Sequence, residues 1–514
     1  MKMKKLTALL TAAVLTMSLT ACGEVPQTEP ESPSPSPTPV TKPEAEPAVF
    51  ALGYAGASTL HPLETTDQSN LDVAALVYEG LYELDENFEP LPLLAESSSV
   101  GEDGLTWTIT LREDAAFSDG TLLTAEQVVS SLNKARKGGV YAARLAEISS
   151  VKAQDGGVVI TLLSPNGALP SLLDVPIVLE QEEGLPLGTG PYVFDSDGES
   201  LWLAANPNWW QGRRPLYDTI PLWENHSLEE RVSAFDSGEV TAVTTDFTAA
   251  NALGYSGTYE THDFSTTNLL FVGFNTADGF CEDTELRAAL SRAFDRGSVV
   301  TALLSGHGEE SELPMFPGNS QYSQEAAGLL SYDMEATKAI LEEAGYTYNE
   351  ENQLVLGRKL LSLTFVVNQD SLVKQAVADH IAQDLRELGI EVTVKKLDWV
   401  DYTAALAAGD FDLYLGEVRL TGDFDISSLV SGPLNYGGYW NEEVLALLQS
   451  WKAASGAGRM EAAEALYLAM AEDLPFAALC FKRNSRLVRG GMAEGLSPVR
   501  GNPFAGVESW QSAR

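Results

Sequence analysis

Ser131 and Lys134, and again Ser371 and Lys374, stand three residues apart, the spacing at which a penicillin-recognising enzyme places its serine nucleophile and a lysine base. No KTG follows either pair, and a pattern with two fixed places recurs by chance in 514 residues. HExxH, GxSxG, the P-loop and the EF-hand loop are all missing, which removes the signatures of zinc peptidases, serine esterases, nucleotide hydrolases and calcium sensors. Gly188 and Gly190 of GLPLGTGPY precede no helix and acid at dinucleotide-fold spacing, so they read as a turn into a strand. His61, His226, His262, His307 and His380 lack the spacing of helical metal ligands, and Cys22, Cys281 and Cys480 lack the CxxC or Cys/His pattern of structural zinc. Two buried free thiols are expected at Cys281 and Cys480. No catalytic residue, metal or cofactor is expected.

The remaining reactive residue is Cys22. Lys2, Lys4 and Lys5 open the chain, an apolar run extends from Leu6 to Leu19, and small residues lead to the cysteine, which is the layout of a secretory signal. The run is shorter than the roughly 20 residues of a membrane-spanning helix, and no later one exceeds it. The stretch from Leu19 to Cys22 resembles the lipobox of bacterial lipoproteins, which implies a diacylglyceryl group on Cys22 as the mature N-terminus. Gly23 to Pro47 is proline-rich and holds almost nothing to bury, so it reads as an extended tether able to hold a domain up to roughly 80 Å from the lipid. Removing the signal leaves 29 bases against 73 acids. That excess of negative charge repels phosphate backbones and anionic headgroups, so neither nucleic acid nor a lipid surface is a partner, apart from the anchor itself.

Behind the tether, short β-type runs alternate with amphipathic helices, the pattern of an α/β fold. Leu105–Leu111 alternates as a half-buried strand, and Thr124 with Gln127 forms a capping box before Val128, Val129 and Leu132. Leu361–Val367 reads as a strand. A helix follows with Leu372, Val377, Ile381, Leu385 and Leu388 on one face and Gly389 as its C-cap. IEVTVKKL, a helix near Tyr402–Ala407 and FDLYLGEV complete strand, helix, strand units, which imply a parallel sheet. In such sheets ligands sit at the carboxyl ends of the strands, here beyond Tyr414.

Leu76–Leu132 (LVYEGLYELDENFEP through EQVVSSL) is similar nearly throughout to the large solute-binding lipoproteins of oligopeptide, dipeptide and nickel ABC importers, the extracellular solute-binding family 5. GTGPYVF at Gly188, NPNWWQGRRPLYDTI at Asn206, TELRAALSRAFDR at Thr284, YDMEATKAILEEAGY at Tyr332 and NYGGYWNEEV at Asn435 extend the resemblance from about Phe50 to Pro498. It implies a two-lobed periplasmic-binding-protein-like fold of type II, with an additional small subdomain in lobe one. Residues 48–91, 188–265 and 484–514 would form lobe one, 92–187 the subdomain and 266–483 lobe two, with NLLFVGFN and ALCFKRN as the hinge. It also implies a monomeric receptor, not an enzyme, that closes on a peptide and passes it to the permease subunits of an ABC importer. Nickel chelates, oligosaccharides and other small solutes stay open as ligands of the same fold.

The resemblance implies particular binding residues. Asp423 in EVRLTGDFD matches the aspartate that pairs with a peptide's N-terminal ammonium, and Arg419, Leu420 and Thr421 match the stretch whose backbone pairs with an extended ligand. The tryptophan common just before that aspartate is absent, with Val418, Arg419 and Leu420 in the region. A solvated turn acid is the alternative for Asp423. On the opposite wall, GASTLHP would place Gly56, Ala57 and Ser58 against the ligand, with His61 where the family has an aspartate.

If Cys22 is the lipidated terminus, cells given radiolabelled palmitate label the wild-type protein and fail to label Cys22→Ala. Equal labelling of the two proteins refutes the assignment.

Overall fold

Alternating apolar residues turn Trp107, Ile109 and Leu111 inward from the strand Thr106–Leu111, and the Thr124 backbone N–H donates to the Gln127 side chain at 2.7 Å to start the helix Ala125–Ala135. These elements belong to a computed structural model that describes residues 49–511. The signal 1–21, Cys22 and the tether 22–47 lie outside the described residues.

In chain order the strands are β1 (Leu52–Ala55), β2 (Tyr82–Leu84), β3 (Pro90–Pro92), β4 (Ala95–Val100), β5 (Thr106–Leu111), β6 (Ile148–Gln154) and β7 (Gly157–Leu162). Then follow β8 (Tyr192–Ser196), β9 (Leu201–Ala205), β10 (Thr219–Asn225), β11 (Ala242–Thr245), β12 (Tyr259–Phe274) and β13 (Gly308–Glu310). The last seven are β14 (Tyr346–Tyr348), β15 (Leu354–Leu356), β16 (Lys359–Leu360), β17 (Ser362–Asn368), β18 (Glu391–Leu397), β19 (Leu413–Arg419) and β20 (Phe476–Arg489).

Two large hydrophobic cores, beside a small cluster around Phe235, divide these elements into two lobes. One is built on Phe50, Leu52, Ile220, Leu222, Val488 and Trp510. It also takes in Trp107, Val128 and Ile160 of the small antiparallel sheet β4-β5-β7-β6, so that sheet shares the core of its lobe. The other core holds Leu269, Phe365, Ile381, Leu415, Trp451 and Leu479. As the sequence implies, β17 pairs in parallel with both β18 and β19, and Gly389 closes the intervening helix, Leu372–Glu387, with φ of 86°.

The parallel strands are not a separate sheet. One eleven-stranded sheet runs β18-β17-β19-β12-β20-β11-β1-β10-β9-β8, with β13 added on β20, and so passes through both lobes. Its centre is the antiparallel pair β12 and β20, of which β20 contributes residues to both cores and β12 to the second. The pairing is interrupted between Ser265 and Leu269, where β12 bulges. There Thr266 donates its hydroxyl to the Lys482 carbonyl at 2.7 Å, and Thr267 donates to the Leu420 carbonyl at 2.6 Å.

The hairpin β2–β3 crosses to the second core. Phe88 at its turn meets Phe316 and Phe424 edge-on with ring centroids 5.0 and 5.3 Å apart. The Asn319 amide donates to the Asn87 carbonyl at 2.9 Å, and the Ser320 N–H donates to the Glu89 carboxylate at 2.8 Å. Phe88 holds φ at 64°, a left-handed conformation that costs a non-glycine residue roughly 1 kcal/mol, so its packing must outweigh that cost.

Phe88→Ala empties this pocket while leaving the backbone strain, and a loss of about 3 kcal/mol in urea-unfolding free energy is expected. A change within about 0.5 kcal/mol shows that the hairpin contributes nothing to the second core.

Candidate functional site

The course of the central sheet sets the site. β10, β1 and β11 are parallel, and β11 ends at Thr245 opposite Ser485, which itself stands opposite Asp263 on β12. From the other lobe β19, parallel to β17 and β18, ends at Arg419 opposite Asn268 of β12. Two sets of parallel strands therefore aim their carboxyl ends toward each other along one strand, from Asp263 to Asn268, a span of at most roughly 17 Å. Carboxyl ends are where open α/β sheets leave loops and helix starts free to meet a ligand.

A chain of ion pairs crosses the floor between these ends. Asp246, just past β11, accepts from the Lys482 ammonium at 2.9 Å; Lys482, on β20, also donates to Glu417 of β19 at 3.1 Å. Lys374, in the first turn of the helix after β17, reaches the second Glu417 oxygen at 2.8 Å. The Thr248 hydroxyl and N–H fix Asp246 from behind at 2.6 and 2.8 Å. Lys482 keeps only 6% of its side chain exposed. Burial opposes its charge, yet Glu417 and Asp246 hold its ammonium above the ordinary value; burial likewise opposes Glu417, and Lys374 and Lys482 hold its carboxyl below the usual range.

Beyond the floor the second lobe exposes apolar side chains among polar ones at its strand ends. Leu372 after β17 is 80% exposed, and Trp399 and Val400 after β18 are 60% and 72% exposed. Such residues at two successive helix starts, after β17 and after β18, offer apolar surface to a solute at the strand ends.

Asp423 lies beyond β19 as the sequence implies, but it is 5% exposed. Its carboxylate accepts from the Asn166 amide at 2.9 Å and from the Thr421 hydroxyl at 2.5 Å. Leu420 is buried, and its N–H donates to the Thr267 carbonyl. Ladder alternation therefore turns the backbone groups of Arg419 toward the other edge of β19, while its side chain donates to Asn268 at 3.2 Å. In the first lobe Gly56 and Ala57 are exposed and Ser58 half-buried, on a loop that Asn70 ties down through the backbone of Ala55, Ser58 and Thr59. A Cβ on Gly56 would meet the flexible, exposed side chain of Glu224. Among the described residues no hydrogen bond joins this loop to Asp423. His61 is buried beside Lys134 and Glu180, and Cys281 and Cys480 are buried free thiols.

Asp246, Lys374, Glu417, Lys482, Trp399 and Asn70 were not singled out as site residues from the sequence. Two of them carried a signal, since Glu417 and Lys482 interrupt the apolar runs FDLYLGEV and ALCFKRN, where a charge must find a partner.

A profile of the bacterial extracellular solute-binding proteins, family 5, middle region, matches residues 89–435. The chain is 26% identical over 507 residues to the oligopeptide-binding protein AppA of Bacillus subtilis strain 168, with 90% of this chain and 92% of that protein covered. It is 27% identical over 375 residues to the glutathione-binding protein GsiB of Escherichia coli strain K12, covering 69% and 70%. The solved structure of a nickel ABC transporter protein from Bacillus halodurans shares the fold, with a TM-score of 0.73 at 22% identity over 90% of this chain and 99% of the other.

Glu417→Gln breaks the ion-pair chain at its middle. Because Glu417 keeps some exposure, the expected loss at pH 7 is about 2 kcal/mol, below the cost of breaking a fully buried pair. The folded state holds this carboxyl below its ordinary value, so the contribution is complete above about pH 4.3 and disappears as pH falls through the folded value. Denaturation curves of wild type and variant should therefore converge as the pH is lowered progressively below that ordinary value. A gap that stays constant throughout the acid range in which the protein still folds rules out the charge as its cause.

Proposed function

The chain belongs to the bacterial extracellular solute-binding proteins of family 5, and from that membership we propose a receptor anchored by lipid on Cys22 to the outer face of the cell membrane. It captures a peptide between its lobes and presents it to an ABC importer. Residues 48–91, 188–265 and 484–514 form the first lobe in this reading, 92–187 its subdomain and 266–483 the second lobe.

The observation that supports the peptide assignment is the exposed leucine, tryptophan and valine at the strand ends of the second lobe, together with a chain of charges that are already paired. An extended, mostly apolar solute fits such a surface better than a densely charged one. The free edge of β19 at Arg419 offers backbone groups for strand addition, and Gly56, Ala57 and Ser58 offer a loop on the facing wall. A solute touching both walls favours the closed form by its contacts in that form alone, and the importer reads the closure. Capture needs no bond to be made or broken, so the protein releases its solute unchanged.

Asp423 receives the ammonium of the peptide in this proposal. Its present partner, the Asn166 amide, is a neutral donor from residues 92–187, and a charged ammonium makes the stronger hydrogen bond to the same oxygen. Binding thus exchanges one donor for another and shifts the Asn166 loop. Leaving a desolvated ammonium unpaired costs on the order of 2–5 kcal/mol, about 30-fold to several thousand-fold in affinity.

Calorimetry with one free and one N-acetylated peptide, on protein stripped by unfolding and refolding, tests this. Wild type should reject the acetylated peptide by that factor, and Asp423→Ala should bind the two forms about equally. Equal binding of both by wild type removes Asp423 as the ammonium site and favours nickel chelates or another small solute.

A further inference from the structure

Two glycines mark a close approach between segments that pack on different cores. Gly167 follows β7 and precedes Leu169 and Leu173 of the first core, while Gly422 precedes Asp423 and Phe424, the latter in the second core. Neither glycine holds φ in the left-handed region, so the backbone alone would admit any residue at both positions. The facing segment is what excludes a side chain. A Cβ on Gly167 would fall 1.7 Å from the Ala454 carbonyl oxygen, and one on Gly422 would fall 2.4 Å from the Ser171 carbonyl oxygen. Both obstacles are main chain and cannot swing aside as a side chain can.

Hydrogen bonds complete the contact. The Gly167 N–H donates to the Lys452 carbonyl at 2.7 Å, beside the Asn166 amide on Asp423 at 2.9 Å, and the Lys452 ammonium reaches Glu147 at 3.3 Å and Asp425 at 2.7 Å. On its own side the loop is held by the Trp107 indole, which donates to the Asn166 carbonyl at 3.1 Å, and by the Ala168 N–H, which donates to the Asn166 side chain at 2.8 Å. Asn166 and Asp423 are both buried, so the seated loop covers the carboxylate. We propose that residues 164–168 are a built-in competitor of the solute, a plug whose Asn166 amide stands where the peptide's ammonium must go. This rests on the role given to Asp423 above. The observed affinity is then the intrinsic affinity multiplied by the fraction of molecules in which the plug is unseated. A substitution that keeps the plug from seating therefore tightens binding, the opposite of what damage to a binding site does.

Calorimetry of the stripped mature protein with trileucine and N-acetyl-trileucine, on wild type, Gly167→Ala and Asn166→Ala, tests the plug. Gly167→Ala sets a methyl group against the Ala454 carbonyl, and Asn166→Ala removes the amide from Asp423. Each breaks at least one hydrogen bond of the seated form, so each should bind trileucine at least about tenfold more tightly than wild type. Asn166→Ala carries the test should Gly167→Ala fail to fold. In hydrogen exchange of wild type, the Gly167 amide should be protected in the empty protein and lose that protection at saturating trileucine. Unchanged or weaker binding in the variants, or undiminished protection at saturation, overturns the plug. The ammonium role fails separately, by equal binding of the free and acetylated peptides to wild type. Absence of trileucine binding in all three proteins removes the peptide reading and the plug with it.

Discussion

Lys482 stands at the middle of β20 with its ammonium between a carboxylate from each side, Asp246 and Glu417. Taking that cation out of water costs several kcal/mol unless both partners hold their positions, and both are fixed by the sheet: Glu417 on β19 and Asp246 one residue past β11. The cleft floor is therefore a product of strand register. A slip of one residue in β20 would turn Lys482 to the opposite face and part it from both Asp246 and Glu417, leaving Glu417 only Lys374. The apolar surface above the floor depends on the same register, because the strand ends that present Trp399 and Leu372 are aligned through β17 and β19 to the central pair.

Much of the secondary structure of this chain was readable because most elements carry their own signal within about a dozen residues. The capping box at Thr124, the apolar face of the helix Leu372–Glu387 and the parallel partners of β17 all follow from local pattern. The joining of the two lobes by one sheet was not readable. The first half of β12, YETHDFS, is polar and resembles a loop, and it becomes a strand only because β20, more than 200 residues later, pairs with it. Tertiary pairing overrides weak local preference in strands more than in helices.

The same distance effect governs the site. The place of Asp423 just beyond β19 was legible, its proposed role coming from the family resemblance, whereas its bond to Asn166 joins residues 257 positions apart and leaves no trace in periodicity. Nor does the chain of Asp246, Lys374, Glu417 and Lys482 have a motif, since four charges gathered from four elements share no spacing. What the sequence does show is the cost side: a lysine and a glutamate inside apolar strands demand partners, without indicating which.

The bulge in β12 gives the central pair an unusual mechanical property. Around Ser265–Leu269 the ladder gives way, and the hydroxyls of Thr266 and Thr267 hold the Lys482 and Leu420 carbonyls. A backbone amide is fixed in the peptide plane, but a hydroxyl turns about its Cβ–Oγ bond and can follow an acceptor that moves. The two hydroxyls can therefore keep a donor on the Lys482 and Leu420 carbonyls through small changes of geometry at a point where the ladder between the two long strands is interrupted.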